Sequence, residues 1–447
     1  MRRDMDTQRH INKQGQHRTP GVAPRRIIAN RGEEAKKFNS APVKPANHAA
    51  AANNAPAAQN RVSAGLIKPE DIIRIRGGVD RPMLLIIILL ISFGTVMVFS
   101  SSFPFALSKY GDSYYFIKKQ LLFIAVGSIG MMAAIMFDYR WIKKVTTYVY
   151  VAALILLVAV LVTSMGSSSG EAKRWIEFGS IRFQPSEFMK LALVLMIAKY
   201  MSNHTDEITD YSNFWRSSWH GFFVPFGFTA LACLLVGLEK HFSGTIIMFL
   251  IGMVVIFAGG SRKFWFLIGG GGAAAVIVPA MLFIDYAKLR IDTWLHPENY
   301  ATDNEIWQTL QGLYAVGSGG WFGVGLGYSR QKHMFVSQPQ NDFIFSIICE
   351  ELGFVGALAV IVLFTMFVWR GVVIALKAPD TFSSLVVIGI ISQVAIQAIL
   401  NMMVVTNIIP NTGISLPFFS YGGTSLAMLM GEMGIVLCIS RYSYQEK

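Results

Sequence analysis

The chain is poor in charged residues and in cysteine. Only 15% of its 447 residues are charged and 53% are hydrophobic. Soluble domains carry about 25% charged residues, so this scarcity argues against a soluble globular protein and favours one that resides in a membrane. Cys233, Cys349 and Cys438 each lie within an apolar run without a metal-ligand spacing. They predict buried free thiols rather than a disulfide framework or a zinc site.

Positive charge is concentrated at the N-terminus. Residues 1–80 are rich in Arg, Lys, Ala, Asn, Gln and Pro, in a chain of net charge +12. This composition cannot bury a core, so we predict a disordered basic tail that stays in the cytoplasm, next to anionic lipid. The alternative for a basic tail is nucleic-acid binding, and the scarcity of aromatic side chains that would stack on bases argues against it.

Apolar runs of about 20 residues recur from Pro82 onward, and each is long enough to cross a hydrocarbon core of roughly 30 Å. The pattern predicts an all-α polytopic membrane protein with a transmembrane domain at 81–442 and a short cytoplasmic tail at 443–447. We expect about ten transmembrane helices, at 82–101, 119–137, 145–165, 184–201, 221–238, 243–259, 264–284, 342–368, 383–405 and 424–440.

The distribution of Lys and Arg among the short loops predicts the orientation. It follows the positive-inside rule when both termini are cytoplasmic. The longest loop, residues 285–341 between the seventh and eighth helices, is then extracellular. Loops of this length usually carry function or are disordered, and the aromatic residues, glycines and basic residues of this loop favour function.

Several segments combine polar residues in patterns that have both a structural and a functional interpretation. The first, KRWIEFGSIRFQPSEFMK at 173–190, contains Arg174 and Trp175, and places Glu187 and Lys190 on one face of a helix that starts at Pro185. The structural interpretation is an aromatic anchor at the membrane interface followed by a helix start. The functional one is a cationic and aromatic lip that binds an anionic amphiphile.

A second set of polar residues lies at membrane depth. Glu350 and Glu351 fall within the eighth predicted helix, and Gln393, Gln397 and Asn401 form a stripe at every fourth position of the ninth. Ionisable groups at this depth are costly and tend to face the bundle interior with a partner. The set either joins helices by hydrogen bonds or lines a polar cavity that is open to the outside.

Two glycine-containing segments have the same ambiguity. GSGGWFGVGLGYSRQKH, at 317–333, is either a glycine-rich re-entrant turn or a backbone cradle near a ligand. In the second interpretation Arg330, Lys332 and His333 hold a phosphate on the outer face. GISLPFFSYGGTS, at 413–425, is either a turn before the last helix or a source of hydroxyl groups, such as that of Ser420, for sugar or phosphate.

Asp342 stands directly before the eighth apolar run, in QPQNDFIF. In this position an aspartate is most simply a helix N-cap. A carboxylate at the boundary between water and membrane can also be tuned by partial desolvation into a general base. Asn341 is then the alternative cap, which leaves Asp342 free.

Four of these segments together resemble the SEDS family (shape, elongation, division and sporulation). The matching stretches are RWIEFGSIRFQPSEFMKLAL, GSGGWFGVGLGYSRQK, DFIFSIICEELGFVG and GISLPFFSYGGTSL. The resemblance extends over residues from about 82 to 441, and is closer to the division and sporulation branch, FtsW and SpoVE, than to RodA. The chain departs from the family pattern at Asn341, where relatives often have Thr, and at Lys240, where they often have Pro.

The resemblance implies a peptidoglycan glycosyltransferase that polymerises lipid II on the outer face of the bacterial cytoplasmic membrane, during cell division or sporulation, with the division septum as the expected location. It implies Asp342 as the general base. The candidate substrate-binding residues are Arg174, Arg330 and Lys332 for phosphate, Trp175 for lipid or sugar, and Glu187, Lys190 and Ser420. It further implies a class B penicillin-binding transpeptidase and other division proteins as partners, and no nucleic acid.

Three points stay open. A divalent cation, Mg²⁺ or Mn²⁺, could accompany the lipid pyrophosphate, with Asp342 as one of its ligands. The first alternative to the enzyme is a lipid II flippase, which would depend on mid-membrane groups such as Glu350 rather than on Asp342. The second is a scaffold without catalytic activity that recruits the transpeptidase.

Overall fold

The computed structural model describes residues 72–73, 77–162, 166–169, 172–178, 181–210, 212–271, 291–300, 304–442 and 445–446. Most of the predicted basic tail lies outside this part of the chain, as do residues 285–290 and 301–303 of the outer loop and residues 272–284 of the predicted helix at 264–284. The described residues are predominantly helical, as the apolar runs predict.

Eleven longer helices account for this part of the chain. They are α1 (Arg81–Tyr110), α2 (Tyr115–Met136), α3 (Tyr139–Val162), α4 (Pro185–Asn203), α5 (Phe214–Leu238), α6 (Phe242–Ala258), α7 (residues 263–271), α8 (Asn304–Ser318), α9 (Ile344–Leu376), α10 (Thr381–Val405) and α11 (Gly423–Ser440). Short helical turns at Thr205–Thr209 and Pro297–Tyr300 lie between them.

The helix lengths confirm a polytopic membrane protein. Among the described residues, seven helices are long and apolar enough to cross a membrane: α1, α2, α3, α5, α9, α10 and α11. The apolar α6 is shorter. The predicted helices at 184–201 and 243–259 correspond to α4 and α6, and the one at 264–284 begins as α7. The total of ten spans and the orientation in the membrane stay predictions.

Helix α10 lies at the centre of the bundle. It packs against α4, α6 and α9, while α11 packs along α2. About 61% of the apolar window of α10 is buried, against 17% for α2. The polar stripe of α10 is therefore enclosed: Gln393, Gln397 and Asn401 are all buried, as predicted for a stripe that faces the bundle interior.

The ends of three helices meet at the start of α1. Asp80 is the N-cap, and its carboxylate accepts the Met83 N–H at 2.9 Å. The same carboxylate pairs with Arg370 of α9, and the Asp80 N–H donates to Ser440 of α11. Further along α1, Ser100 donates to Glu351 at 2.5 Å. Helices α1 and α9 therefore run antiparallel, so the end of α9 lies on the same side as the start of α1.

One segment of the predominantly helical fold forms a small sheet that the sequence did not predict. Strands β2 (Gly166–Ser169), β3 (Ala172–Phe178) and β4 (Ile181–Phe183) form an antiparallel sheet between α3 and α4. Ile176 is opposite Gly166 on one side and Phe183 on the other. Aromatic and β-branched residues favour strands here. A two-residue pair also joins β1 (Ile72–Ile73) to β5 (Gln445–Glu446).

Helix α9 is interrupted at Gly353, where φ is +66° and ψ is −162°. The glycine-rich loop fills the break. The Val324 N–H donates to the Glu350 carbonyl at 2.9 Å, and the Phe354 N–H donates to the Gly320 carbonyl at the same distance. At a rise of about 1.5 Å per residue, the break lies roughly 13 Å along α9 from Ile344. The glycine-rich segment therefore turns back into the break of α9; its depth in the membrane stays a prediction.

Replacing Gly353 with alanine should destabilise the protein. A Cβ atom at this position would lie 2.3 Å from the Gly323 nitrogen, and the backbone conformation is one that only glycine adopts readily. We expect a lower thermal unfolding midpoint in purified protein. The matched control is Gly130→Ala in α2, where a Cβ atom meets nothing within 4 Å and alanine favours the helix. An unchanged midpoint for Gly353→Ala would contradict the described break.

Candidate active site

Asp342 lies two residues before α9 and caps no helix. The N-cap position belongs to Phe343, and no side chain hydrogen-bonds there. The Asn341 amide donates instead to the Gln338 side chain. Both cap interpretations of the sequence are therefore wrong, and the Asp342 side chain has no structural task at the helix start.

The Asp342 carboxyl is recessed beside the loop that follows α10. The residue is half-buried, and among the described residues no side chain or backbone group donates a hydrogen bond to its carboxylate. A Cβ atom at Gly413 would lie 3.3 Å from Asp342 Oδ2, so the glycine leaves room beside this oxygen. Burial raises the pKa of Asp342 to about 6. A carboxylate with this pKa can accept a proton near neutral pH.

The backbone around Asp342 is fixed from two directions. Asn401 of α10 donates its amide to the Asp342 carbonyl at 2.7 Å and to the Ile414 carbonyl at 2.6 Å. Ser420 donates to the Asn341 carbonyl at 2.8 Å, and the Tyr421 N–H donates to the Gln340 carbonyl. The predicted substrate-binding hydroxyl of Ser420 is buried and engaged in this support.

A second polar cluster lies where α4, α10 and α11 meet. Lys190 pairs with Glu187 at 2.8 Å across one turn of α4, as their spacing predicts. Lys190 is only 3% exposed, while Glu187 is 22% exposed. Gln393 of α10 donates to Glu432 of α11 at 2.9 Å, and the Lys190 charge acts on the Glu432 carboxylate. Glu432 is a lone acid in the last apolar run, a signal that could have identified it.

The turn between α5 and α6 links this cluster to Asp342. His241 lies 3.3 Å from the Ser186 hydroxyl, and Arg174 donates to the Lys240 carbonyl at 2.5 Å. On the other side, Ser243 donates to the Thr412 carbonyl, one residue before Gly413. A continuous series of contacts therefore runs from the 173–190 segment to the loop beside Asp342. Trp175 lies in β3 and is half-buried.

Glu239 and His241 were missed as site residues. Glu239 is 2% exposed, and neither of its carboxylate oxygens has a hydrogen-bond partner among the described residues. Burial raises the pKa of Glu239 to about 8, although the Arg174 charge opposes the rise. Burial also lowers the pKa of His241 to about 4. Both groups are therefore neutral at pH 7, and their position between two apolar runs was the available signal.

Arg330 and Lys332, two basic residues of the outer loop, differ in their exposure to solvent. Arg330 is exposed. Lys332 is completely buried, and its ammonium group pairs with Glu351 at 2.7 Å. Glu350 accepts the Arg330 N–H at 2.8 Å and the Ser329 hydroxyl. Lys332 therefore anchors the loop rather than a phosphate, which corrects the sequence-based assignment, and the two glutamates join the loop to α9.

The described helices and this carboxylate site define a polytopic membrane protein with a candidate base at one end of its bundle. The chain belongs to the FtsW/RodA/SpoVE family of cell cycle proteins, whose model matches residues 81–445. Stage V sporulation protein E of Bacillus subtilis is 39% identical over 81% of the chain and 97% of the relative. A probable peptidoglycan glycosyltransferase FtsW of Trichlorobacter lovleyi is 36% identical over 81% of the chain and 93% of the relative.

Solved structures agree with the fold. One chain of a peptidoglycan synthase complex that coordinates polymerization and crosslinking matches with a TM-score of 0.66 and 23% identity, over 81% of this chain and 98% of that one. The rod shape determining protein RodA of Thermus thermophilus matches with a TM-score of 0.60 and 24% identity, over 82% and 98% of the two chains. These likenesses establish a RodA-like fold.

Proposed function

We propose that the chain is a peptidoglycan glycosyltransferase that polymerises lipid II into β-1,4-linked glycan strands, with Asp342 as the general base. The observation that carries the proposal is the Asp342 carboxyl itself. It is recessed and unpartnered among the described residues, has a pKa near 6, and sits on a backbone fixed by Asn401 and Ser420. Membership of a family with relatives named as peptidoglycan glycosyltransferases supports the same activity.

The reaction requires one proton acceptor and stabilisation of a leaving anion. The 4-hydroxyl oxygen of the acceptor sugar attacks C1 of the donor sugar, its proton passes to Asp342, and the C1–O bond to undecaprenyl pyrophosphate breaks. A sugar hydroxyl is a weak nucleophile at neutral pH, so the carboxylate must remove its proton during the attack. A single displacement inverts the anomeric centre, which converts an α-linked donor into a β-linked product.

The leaving pyrophosphate needs cations, and three basic residues remain as candidates. Arg330 is exposed on the outer loop. Arg174 is half-buried and contacts the turn between α5 and α6. Lys190, paired with Glu187 on α4, is a buried positive charge. Preorganised cations of this kind stabilise the charge that develops on the leaving group. Trp175, in the same strand as Arg174, would lie against lipid or sugar.

Within the described part of the chain, a divalent cation has few candidate protein ligands. The described residues contain no group of three or more His, Cys, Asp or Glu side chains that could hold a metal ion. Mg²⁺ commonly binds through one or two carboxylates together with substrate phosphates and water. Asp342 would supply one such carboxylate, and the substrate pyrophosphate would supply the other ligands.

The remaining parts of the proposal concern location and partners. The positive-inside pattern supports an active site on the outer face of the bacterial cytoplasmic membrane. The similarity to a chain of a synthase complex that couples polymerization with crosslinking supports a class B penicillin-binding transpeptidase as partner. The relatives named FtsW and SpoVE favour action at the septum, together with other division proteins.

The geometry favours an enzyme over a flippase. A flippase would use mid-membrane acids such as Glu350 to move the headgroup. Glu350 and Glu351 instead bind Ser329, the Arg330 backbone and Lys332. The test is purified protein, with and without its transpeptidase, given fluorescent lipid II in liposomes. Polymer supports the proposal. Transbilayer movement of lipid II without polymer, in the presence of the transpeptidase, overturns it in favour of the flippase.

The rate of polymerisation should depend on pH with a midpoint near 6. Below that value Asp342 is protonated and cannot accept the proton of the acceptor hydroxyl, so the rate falls as the pH is lowered through about 6. We expect about a tenfold loss for each unit well below the pKa. The measurement is the initial rate between about pH 4.5 and about pH 8, on protein that stays folded throughout this range. A flat profile across this range would contradict the assignment.

A further inference from the structure

The turn between α5 and α6 contains an acid that the proposed reaction does not use. Glu239 is the C-cap residue of α5 and is buried, and neither of its carboxylate oxygens has a hydrogen-bond partner among the described residues. Buried polar side chains normally have a partner, and those that lack one often have a functional reason. The described contacts give the Glu239 carboxyl group no structural task.

Two features of its position keep the Glu239 carboxyl group protonated. Burial raises its pKa to about 8. The C-terminal end of a helix also carries partial negative charge, which disfavours an ionised carboxylate at the end of α5. Near neutral pH this buried acid therefore carries no charge.

Arg174 contacts the same turn and also has a hydrogen-bonding group without a partner. Its guanidinium donates to the carbonyl of Lys240, the residue after Glu239, while Arg174 Nε has no acceptor among the described residues. The positive charge of Arg174 opposes the rise in the pKa of Glu239, so the two side chains lie within electrostatic reach. The neutral Glu239 leaves the charge of Arg174 uncompensated.

The charged and titratable groups around Glu239 come from its own turn, from β3 and from α4: Lys240, His241, Arg174, Glu187 and Lys190. Lys240 is exposed, where solvent screens its charge. His241 is neutral, because burial lowers its pKa to about 4. Lys190 already pairs with Glu187 at 2.8 Å. Arg174 is therefore the cation that an ionised Glu239 would pair with.

The turn adjoins the loop beside the proposed base. Ser243 donates to the Thr412 carbonyl, and the next residue, Gly413, leaves room beside Asp342 Oδ2. The buried Thr412 hydroxyl has no partner among the described residues. Polar atoms with unused hydrogen-bonding capacity thus occur on both sides of this contact, as expected of a surface that holds an anion only while substrate is bound.

We infer that Glu239 is a positioning residue for the pyrophosphate of the donor substrate and that it acts through Arg174. In its neutral form, Glu239 leaves the charge of Arg174 to the lipid pyrophosphate. In its ionised form, it pairs with Arg174 and withdraws that charge from the substrate. The inference rests on the proposed glycosyltransferase function and adds a residue that controls how strongly the leaving group is held.

The test measures the binding of farnesyl pyrophosphate to the full chain in phosphatidylcholine nanodiscs, with empty nanodiscs as the blank. The range lies between about pH 7 and about pH 9, where the terminal phosphate of the probe is already ionised, since its last pKa is about 6. We expect the dissociation constant to rise about fivefold across this range as Glu239 loses its proton. An affinity that does not change with pH would overturn the inference. Because this measurement uses the unsubstituted chain, it does not depend on the folding of a variant.

Two variants assign the pH dependence to the two residues. Glu239→Gln is neutral at every pH, so it should bind the probe as tightly at pH 9 as at pH 7. Arg174→Gln should bind about tenfold more weakly at pH 7 and should also lose the pH dependence. The matched control is Glu298→Gln, an exposed acid of the outer loop, which should keep the pH dependence of the unsubstituted chain. Survival of the pH dependence in Glu239→Gln or in Arg174→Gln would overturn the inference.

Polymerisation of lipid II separates this inference from the proposed activity. If the chain fails to polymerise lipid II while farnesyl pyrophosphate binds with the expected pH dependence, the activity is overturned and the role of Glu239 in holding a pyrophosphate remains. If polymerisation proceeds and binding of the probe is independent of pH, the role of Glu239 is overturned and the proposed activity remains.

Discussion

Replacing Asp342 with asparagine should abolish the formation of glycan strands from lipid II, with a loss of at least about 100-fold in rate. The amide has nearly the same shape as the carboxylate and cannot accept the proton of the attacking hydroxyl. No described group loses a hydrogen bond in the variant, because Asn401 contacts the Asp342 carbonyl rather than its side chain. The measurement is polymer length and initial rate with purified protein and its transpeptidase partner.

The matched control for this prediction is Asp112→Asn. Asp112 is an acid on the loop between α1 and α2, predicted to lie on the same face, and pairs with Lys118 in solvent. We expect an unchanged rate and an unchanged unfolding midpoint for this variant. Full polymerisation by Asp342→Asn would remove the general base from the proposal. A fall in its unfolding midpoint would show that the carboxylate has a structural role that the described contacts lack.

Replacing Lys332 with methionine should destabilise the protein strongly, by about 3–5 kcal/mol, because an unpaired carboxylate is left in a buried site. Lys332 and Glu351 are both completely buried, and Ser100 donates to the same glutamate. The expected result is a large fall in the unfolding midpoint in purified protein. Adding Glu351→Leu to Lys332→Met should recover part of the loss, since the orphaned charge is then absent.

Arg330→Met is the matched control for Lys332. Arg330 lies two residues away and is exposed, so its loss should leave the unfolding midpoint nearly unchanged and weaken lipid II binding instead. If Lys332→Met reduced lipid II binding without affecting stability, the lysine would be a phosphate ligand after all. The pair of variants therefore separates the anchor of the loop from the cation that faces the substrate.

The sequence predicted the helices well because the membrane requires long apolar runs. Helix α9 shows what the apolar pattern cannot predict. It breaks at Gly353 and continues to Leu376, although the apolar run in the sequence has no interruption at this glycine. The break depends on hydrogen bonds from the loop at 320–325, and such long-range pairing leaves no periodic signal. The sheet at 166–183 was missed for a related reason, since its three short strands are stabilised by each other.

The sequence identified many of the polar residues of the site, but it could not show which of them contact each other. The Glu187–Lys190 pair follows from helical spacing, and the burial of the α10 stripe follows from the cost of polar groups in lipid. The partners of Lys332 lie on other helices, so the sequence could not distinguish a buried anchor from an exposed cation. Glu239 and His241 join the site only because the turn before α6 packs against the loop at 411–413.

The contacts that fix Asp342 involve main-chain carbonyls and spare its carboxyl group. A general base changes charge during every turnover. If the Asp342 carboxylate also held the loop against α10 through a hydrogen bond, each protonation of the carboxylate would weaken that hydrogen bond. Here the amide of Asn401 holds the Asp342 carbonyl, whose hydrogen-bonding capacity is the same in both protonation states. Proton uptake and structural integrity are thus separated within a single residue, which allows the carboxyl group to cycle while the framework around it stays still.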